Sequence, residues 1–402
     1  MSRSPLGHLA VIAGIGFGVW FCTVALGAKS PQTRRGTATK KGACLLVTNA
    51  PLAYGNVPVK AERFVTGLEV PWGIAFLDPS TLLITERPGR LRLVEHGKLR
   101  PAPVLTLKTS KHTAEGGLLG IALHPDFKTN HLFYLYYTAD VGGRPVNRVV
   151  RYHLAPDAHS ARFDRVILDN IPAAEFHDGG RLHFGADGML YVATGDARNP
   201  QNAQNLHTPA GKILRLTPEG KIPADNPFAG SPVYVLGIRN DQAFAWDQHG
   251  KLLIADNGPT GELGRYGHDE VSVAGPGANL GWPTIYSCET HQNMVTPAIT
   301  WEKAHPPGGA SFYTGAAIPG WQGSLLVGIL GAKELHRLVL DTQATPVRVT
   351  TSETYFAGDP PGGFGRIRDV VQGPEGAVYL TTSNCDGRGT CPATKDWIVR
   401  LR

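Results

Sequence analysis

One pattern recurs six times along the chain and constrains its folding more than any other feature. It is a short apolar strand, a tight turn built on Asp, Pro or Gly, a second strand, a variable loop and a third strand. The copies are WGIAFLDPSTLLITERPGRLRLV from Trp72; LLGIALHPDF with HLFYLYYTA and NRVVRYHL from Leu118; GRLHFGADGMLYVATGDA with GKILRLTPEG from Gly180; QAFAWDQHGKLLIADNG with DEVSVA from Gln242; GAAIPGWQGSLLVGILGAKELHRLVLD from Gly315; and RDVVQGPEGAVYLTTSN with DWIVRL from Arg368. Each leaves room for a fourth strand. A repeat of roughly 50 to 60 residues made of short antiparallel strands predicts an all-β, six-bladed β-propeller with four-stranded antiparallel blades. A β-sandwich would not need the same strand–turn–strand signature so often. The 49 Gly and 31 Pro, scattered in short turn-like clusters, fit many short strands rather than long helices.

The first residues stand apart from this pattern. Arg3 precedes the uncharged stretch from Leu9 to Ala28, which ends in small residues, so segment 1–28 reads as a signal peptide or, if uncleaved, an N-terminal anchor. Segment 29–58 reads as a basic, flexible leader, and 59–402 as the propeller. Export predicts a periplasmic or secreted protein, with a membrane contact only if the first segment is retained.

Charge points the same way once the leader is set aside. Residues 1–41 hold six basic residues and no acidic one; removing those six from 39 leaves 33 basic against 33 acidic residues. A formally neutral folded part gives no support for a nucleic-acid partner. Cys44, Cys288, Cys385 and Cys391 form an even set suited to an oxidising compartment. Cys385 and Cys391 enclose a five-residue turn and are expected to pair, which leaves Cys44 with Cys288.

Residues able to do chemistry fall in one register of the repeat. His177 lies eleven residues before the turn glycine Gly188, Arg239 and Asn240 eleven and ten before Gly250, and Arg366 and Arg368 ten and eight before Gly376, while Glu115 precedes Asp126 by eleven. At roughly 3.3 Å per residue these offsets run back past the same end of each innermost strand. They should meet at one mouth of the channel. The loops after the second strands reach the same face and carry Glu86-Arg87, Gly195-Asp196, Asn257-Gly258-Pro259, Gly331 to Lys333 and Ser383-Asn384. Three arginines at one mouth call for an anionic ligand, and their forks suit carboxylate or phosphate. A histidine among them is placed for general-base work.

The ordered motifs EGGLLGIALHPDF, FHDGGRLHFGADGMLYVATGD, GIRNDQAFAWD, DNGP, DEVSVAGPGANLGWP and GRIRDVVQGPEGAVYL resemble the soluble glucose/sorbosone dehydrogenases that depend on pyrroloquinoline quinone (PQQ), also called aldose sugar dehydrogenases, over about residues 60–402. The resemblance implies oxidation of an aldose at its anomeric hydroxyl to a lactone, with PQQ as hydride acceptor and a further electron acceptor such as a quinone or cytochrome. It implies His177 as base and Arg239 as the donor polarising the quinone carbonyl. Arg366 and Arg368 would bind the PQQ carboxylates, with Asn240 and Glu115 beside the cofactor and Lys333 as the candidate for the family's quinone-binding lysine. A Ca²⁺ at the backbone carbonyls of Gly258 and Pro259 would touch the cofactor, and Glu270 with the backbone at Leu280 would hold a second, structural Ca²⁺.

Departures from the family pattern are visible. The lysine position aligns by spacing nearer Gly331 than Lys333, and Glu115 stands where Gln is common, adding negative charge beside a tricarboxylate. Two other functions fit the same fold: a non-enzymatic propeller that binds protein or glycan, and a Ca²⁺-dependent lactone hydrolase. The arginine-rich mouth counts against the hydrolase.

Overall fold

A computed structural model of the chain describes residues 37–41, 43–48, 53–110 and 114–402. The apolar segment 1–28 lies outside the described residues. Six antiparallel sheets stand in a ring, each with its innermost strand against the axis: Pro71–Asp78, Leu118–Leu123, Leu182–Phe184, Asp241–Trp246, Pro307–Tyr313 and Ile367–Gln372. This is the six-bladed propeller that the repeat predicts. Every blade is covered on both faces by its neighbours, so its middle strands are apolar throughout rather than alternating. Leu190–Ala193 and Leu252–Asp256 are buried at each position. The core is accordingly divided among the interfaces between blades.

The ring is closed by strand exchange between the two ends of the folded part. Ala61–Leu68 forms the outer strand of the last blade and pairs antiparallel with Asp396–Leu401, Ala61 opposite Leu401 and Leu68 opposite Asp396. An edge that would otherwise be open is thereby paired.

Two features differ from the sequence reading. Within the segment read as a flexible leader, Thr37–Lys41 and Cys44–Thr48 form a hairpin that extends the fourth blade, Cys44–Thr48 running parallel to Ile299–Trp301. Ala53–Tyr54 pairs with the outer strand of the fifth blade. The Cys44–Cys288 disulfide, with Cα atoms 5.6 Å apart, staples this hairpin to the loop above the fourth blade; Cys385–Cys391 closes the short turn of the sixth. The second difference is in the fifth blade. Its innermost strand is Pro307–Tyr313, and Gly315 to Gln322, which the repeat suggests as that strand, is a connection containing the short 3-10 helix Pro319–Trp321.

The axis is plugged by one arginine. Arg181, 4% exposed, donates to the carbonyls of Gln242 and Gly308, pairs with Asp369 Oδ1 at 2.9 Å and lies over the Trp72 ring at 4.3 Å. It thus touches the first, fourth, fifth and sixth blades from the third. Removing one partner of a buried ion pair leaves the other charge uncompensated. Arg181→Leu is therefore expected to destabilise the protein by about 3 kcal/mol, read as a lower urea midpoint at unchanged slope.

Candidate functional site

The loops entering the innermost strands bring Glu115, His177, Arg239, Asn240, Arg366 and Arg368 to one end of the ring. His177 sits in a left-handed conformation, φ 68°, followed by Gly179 and Gly180 at φ 63° and 116°. Gly195 approaches so closely that a Cβ there would lie 2.0 Å from the His177 carbonyl oxygen. The Phe176–Gly180 turn and the Gly195 loop are thus locked together, and the imidazole is aimed rather than free.

Its hydrogen bonds define the tautomer. Arg239 Nη2 lies 2.8 Å from His177 Nε2, and a guanidinium can only donate, so Nε2 carries a lone pair. His177 Nδ1 then carries the proton and donates to Asp196 Oδ1 at 2.7 Å. Asp196, fully buried, also accepts from the Arg198 N–H at 2.8 Å and from Trp282 Nε1 at 2.9 Å. The result is a carboxylate–imidazole pair with its basic nitrogen turned toward a cation. Asp196 is visible in the sequence only as a rim-loop residue; its pairing with His177 depends on how two loops from one blade fold back on each other.

Arg239 is held from behind by the Asn257 carbonyl at 3.1 Å and from above by Glu262 Oε1 at 2.8 Å. Glu262 also lies 3.4 Å from His177 Nε2. Burial pulls the Glu262 carboxyl upward, but the Arg239 charge and the Thr260 N–H hold it down at about 2. Its loop, 257–268, has no periodicity that would announce it.

The second group is cationic. Arg366 pairs with Asp386 through Nη2 at 2.9 Å and Nε at 3.0 Å, and donates to the Leu330 carbonyl. Arg368 reaches Gln242 Oε1 at 2.5 Å but keeps its buried Nε without a partner, and burial lowers its pKa to about 9. Burial also lowers Arg87, which senses the same Asp386. Three guanidiniums therefore face two carboxylates, Asp386 and Glu115, and Glu115 is also paired with Arg388. Glu115 accepts from the His177 N–H at 3.1 Å and Asn240 Nδ2 at 3.3 Å, and meets Arg388 at 3.0 Å. Burial pulls its carboxyl upward, and Arg388 together with the His177 N–H outweighs that to leave it lowered. Glu115 is thus paired, so its charge is not added to the arginine face unanswered.

Lys333 has a carboxylate partner of its own. Its ammonium is bonded to Asp359 at 2.6 Å rather than to any of the other named residues. The loop spacing that put the lysine position nearer Gly331 is reflected in this placement.

Gly258, Pro259, Glu270 and Leu280, which the resemblance divides between two Ca²⁺ ions, all line one cavity of about 30 Å³ together with Arg239, Asp256 and Trp282. Burial and the neighbouring Asp256 push the Glu270 carboxyl well up. Asp256 itself is raised to about 6 by burial, against the Arg239 and Asn240 N–H groups that it accepts. The two carboxyl side chains of this cavity, Asp256 and Glu270, offer oxygen ligands of the kind a hard divalent cation takes, with Arg239 beside them.

This geometry can be set beside known proteins. The chain is 31% identical to aldose sugar dehydrogenase YliI of Escherichia coli over 85% of its length and 95% of that protein, and 26% identical to quinoprotein glucose dehydrogenase B of Acinetobacter calcoaceticus over 83% and 90%. A solved PQQ-bound aldose sugar dehydrogenase from Streptomyces coelicolor superposes with TM-score 0.75 at 30% identity, covering 88% of this chain and 99% of that one. The family profile described as Glucose / Sorbosone dehydrogenase matches residues 68–394, which take in all six innermost strands and the whole rim. The chain therefore belongs to the glucose/sorbosone dehydrogenase family of sugar-oxidising enzymes.

Proposed function

We propose that the protein is a PQQ- and Ca²⁺-dependent dehydrogenase that oxidises an aldose at its anomeric hydroxyl to the lactone. The observation that carries this reading is His177 Nε2, a basic nitrogen fixed between Asp196 and Arg239. A propeller used only for binding has no need of a carboxylate-oriented imidazole facing a guanidinium. Residues 1–28 are proposed to direct export, and a quinone or cytochrome to receive the electrons.

PQQ, when bound, supplies the quinone that accepts the hydride. The cationic face fits such a group: its three guanidiniums exceed the local carboxylates, and Arg368 Nε has no protein partner. Arg366 and Arg368 would take the carboxylates, with Arg87 and Asn240 alongside. Gly258 and Pro259 would hold Ca²⁺ as a template near the cofactor, and Glu270 with Leu280 a second, structural Ca²⁺.

The chain's own residues account for the proton. His177 Nε2 takes it from the sugar hydroxyl, and Asp196, already bonded to Nδ1, stabilises the imidazolium that forms. Arg239 donates to the oxygen on which negative charge develops. His177 Nε2 and Glu262, both now bonded to Arg239 Nη2, have to release that donor as substrate enters.

The test is titration of Ca²⁺-loaded apoprotein with PQQ, followed by dye reduction with a panel of aldoses. Saturable uptake and sugar-dependent bleaching are expected. No uptake at micromolar PQQ would return the protein to the class of binding propellers.

A further inference from the structure

We propose that His305, Glu334 and His336 form a binding site for one first-row divalent transition-metal ion, of the Zn²⁺ class, at the rim end of the fifth blade. His305 lies two residues before the first residue of the innermost strand Pro307–Tyr313. Glu334 and His336 open the third strand, Glu334–Asp341, with both side chains on one face because they are two residues apart. One ligand-capable atom from each residue lies within 4.8 Å of the other two.

The hydrogen-bond chemistry favours a cation between them. His305 Nδ1 lies 2.9 Å from the Lys303 carbonyl oxygen, which can only accept, so Nδ1 carries a proton. In the neutral ring Nε2 is then a bare lone pair, and it faces Glu334 Oε1 at 3.4 Å. Two electron-rich atoms at that distance need a positive charge between them. His336 Nε2 meets the same oxygen at 2.7 Å. Nitrogen and oxygen ligands about 2.0–2.1 Å from a tetrahedral Zn²⁺ lie roughly 3.3 Å from each other. The His305–Glu334 spacing already matches, and the His336–Glu334 spacing has to open by a few tenths of an ångström.

The rings are also held in place. His305 and His336 both pack on Trp301, with centroids 5.9 and 5.1 Å from it. His336 is fully buried and turns Nε2 to Glu334. Two imidazoles and one carboxylate select Zn²⁺ or Co²⁺ over Ca²⁺, which takes oxygen. The His305 side chain is 14% exposed, so the cluster touches solvent.

The site has a route to the rim. The His305 N–H donates to Asp269 Oδ2 at 2.5 Å, and Asp269 Oδ1 accepts from the Gly258 N–H at 2.8 Å. A metal here would brace the segment that positions Gly258 and Pro259. This inference stands on its own residues and does not depend on the proposed sugar chemistry.

Full-length protein without added histidines, saturated with Ca²⁺ and stripped of transition metals, is titrated with Co²⁺ and followed by its visible d–d bands; Zn²⁺ retention after dialysis is measured in parallel. One equivalent of Co²⁺ with low-symmetry bands, displaced by Zn²⁺, is expected. His305→Ala, at a partly exposed position, should weaken binding at least about 100-fold, since losing a ligand costs no less than losing one of its outer partners. Glu334→Gln should do the same, with folding of both variants checked by thermal melt. No Co²⁺ bands and no retained Zn²⁺ would show that a proton holds the three side chains together, and would overturn the proposal. Undiminished binding in folded His305→Ala would overturn it equally.

Discussion

Replacing His177 by glutamine is expected to lower kcat for aldose oxidation by about 10³-fold, within the range a positioned general base supplies. Glutamine fills similar space and can still donate to Asp196 Oδ1, so the turn held by Gly179 and Gly195 keeps its shape. What disappears is a basic atom facing Arg239. PQQ uptake should stay within a few-fold of the parent, because Arg366 and Arg368 are anchored through Asp386 and Gln242 rather than through His177. KM for the sugar should move little, since the proton leaves in the transition state and not on binding. A variant that loses PQQ and activity together would place His177 in cofactor binding instead, and one that keeps full activity would move the base elsewhere.

The contrast between His177 and its neighbours explains how far the sequence could be read. Six repeats of one strand–turn–strand pattern suffice for the propeller, because each blade must bury both faces and writes its strands as apolar runs. Counting back from the turns also placed Glu115, His177, Arg239, Asn240, Arg366 and Arg368 at one end, since each turn closes the far end of an innermost strand and the residues counted exceed that strand's length. The count fails in the fifth blade. There the connection through Pro319–Trp321 is longer, so the residue in the matching place, His305, escaped notice. Lys333 shows a related limit: a short loop turn, φ 59° at that residue, decides where a flexible side chain goes, and its salt bridge to Asp359 is invisible from spacing.

Partnerships that cross loops were the least legible. Asp196 bonds His177, Glu262 bonds Arg239, and Arg388 offsets Glu115 across 273 residues of sequence. None of these follows from periodicity, which reports which face of a strand is buried and says nothing about where a turn returns. The leader is a similar case. Cys44–Thr48 reads as a plain apolar stretch after a basic run, and only the open edge of the fourth blade and the partner cysteine at 288 give it a place.

Arg368→Gln carries the second large effect, and it splits two quantities that a structural residue would move together. In the apoprotein the Arg368 guanidinium is fully buried with one short bond to Gln242; Asp386 is 3.8 Å away and already committed to Arg366. Burying a charge with so little compensation works against folding, which is what its lowered value of about 9 records. Glutamine removes the charge and retains an amide that can answer Gln242. The thermal midpoint of the apoprotein is therefore expected to hold or rise. PQQ affinity should fall by about 10²- to 10³-fold, the loss of a desolvated charge-assisted contact of roughly 3–4 kcal/mol. Added salt should do little to the remaining affinity, because the contact is buried and weakly screened. A lower midpoint with unchanged PQQ affinity would make Arg368 part of the scaffold, and the excess of guanidinium over carboxylate at the rim would then need another ligand to explain it.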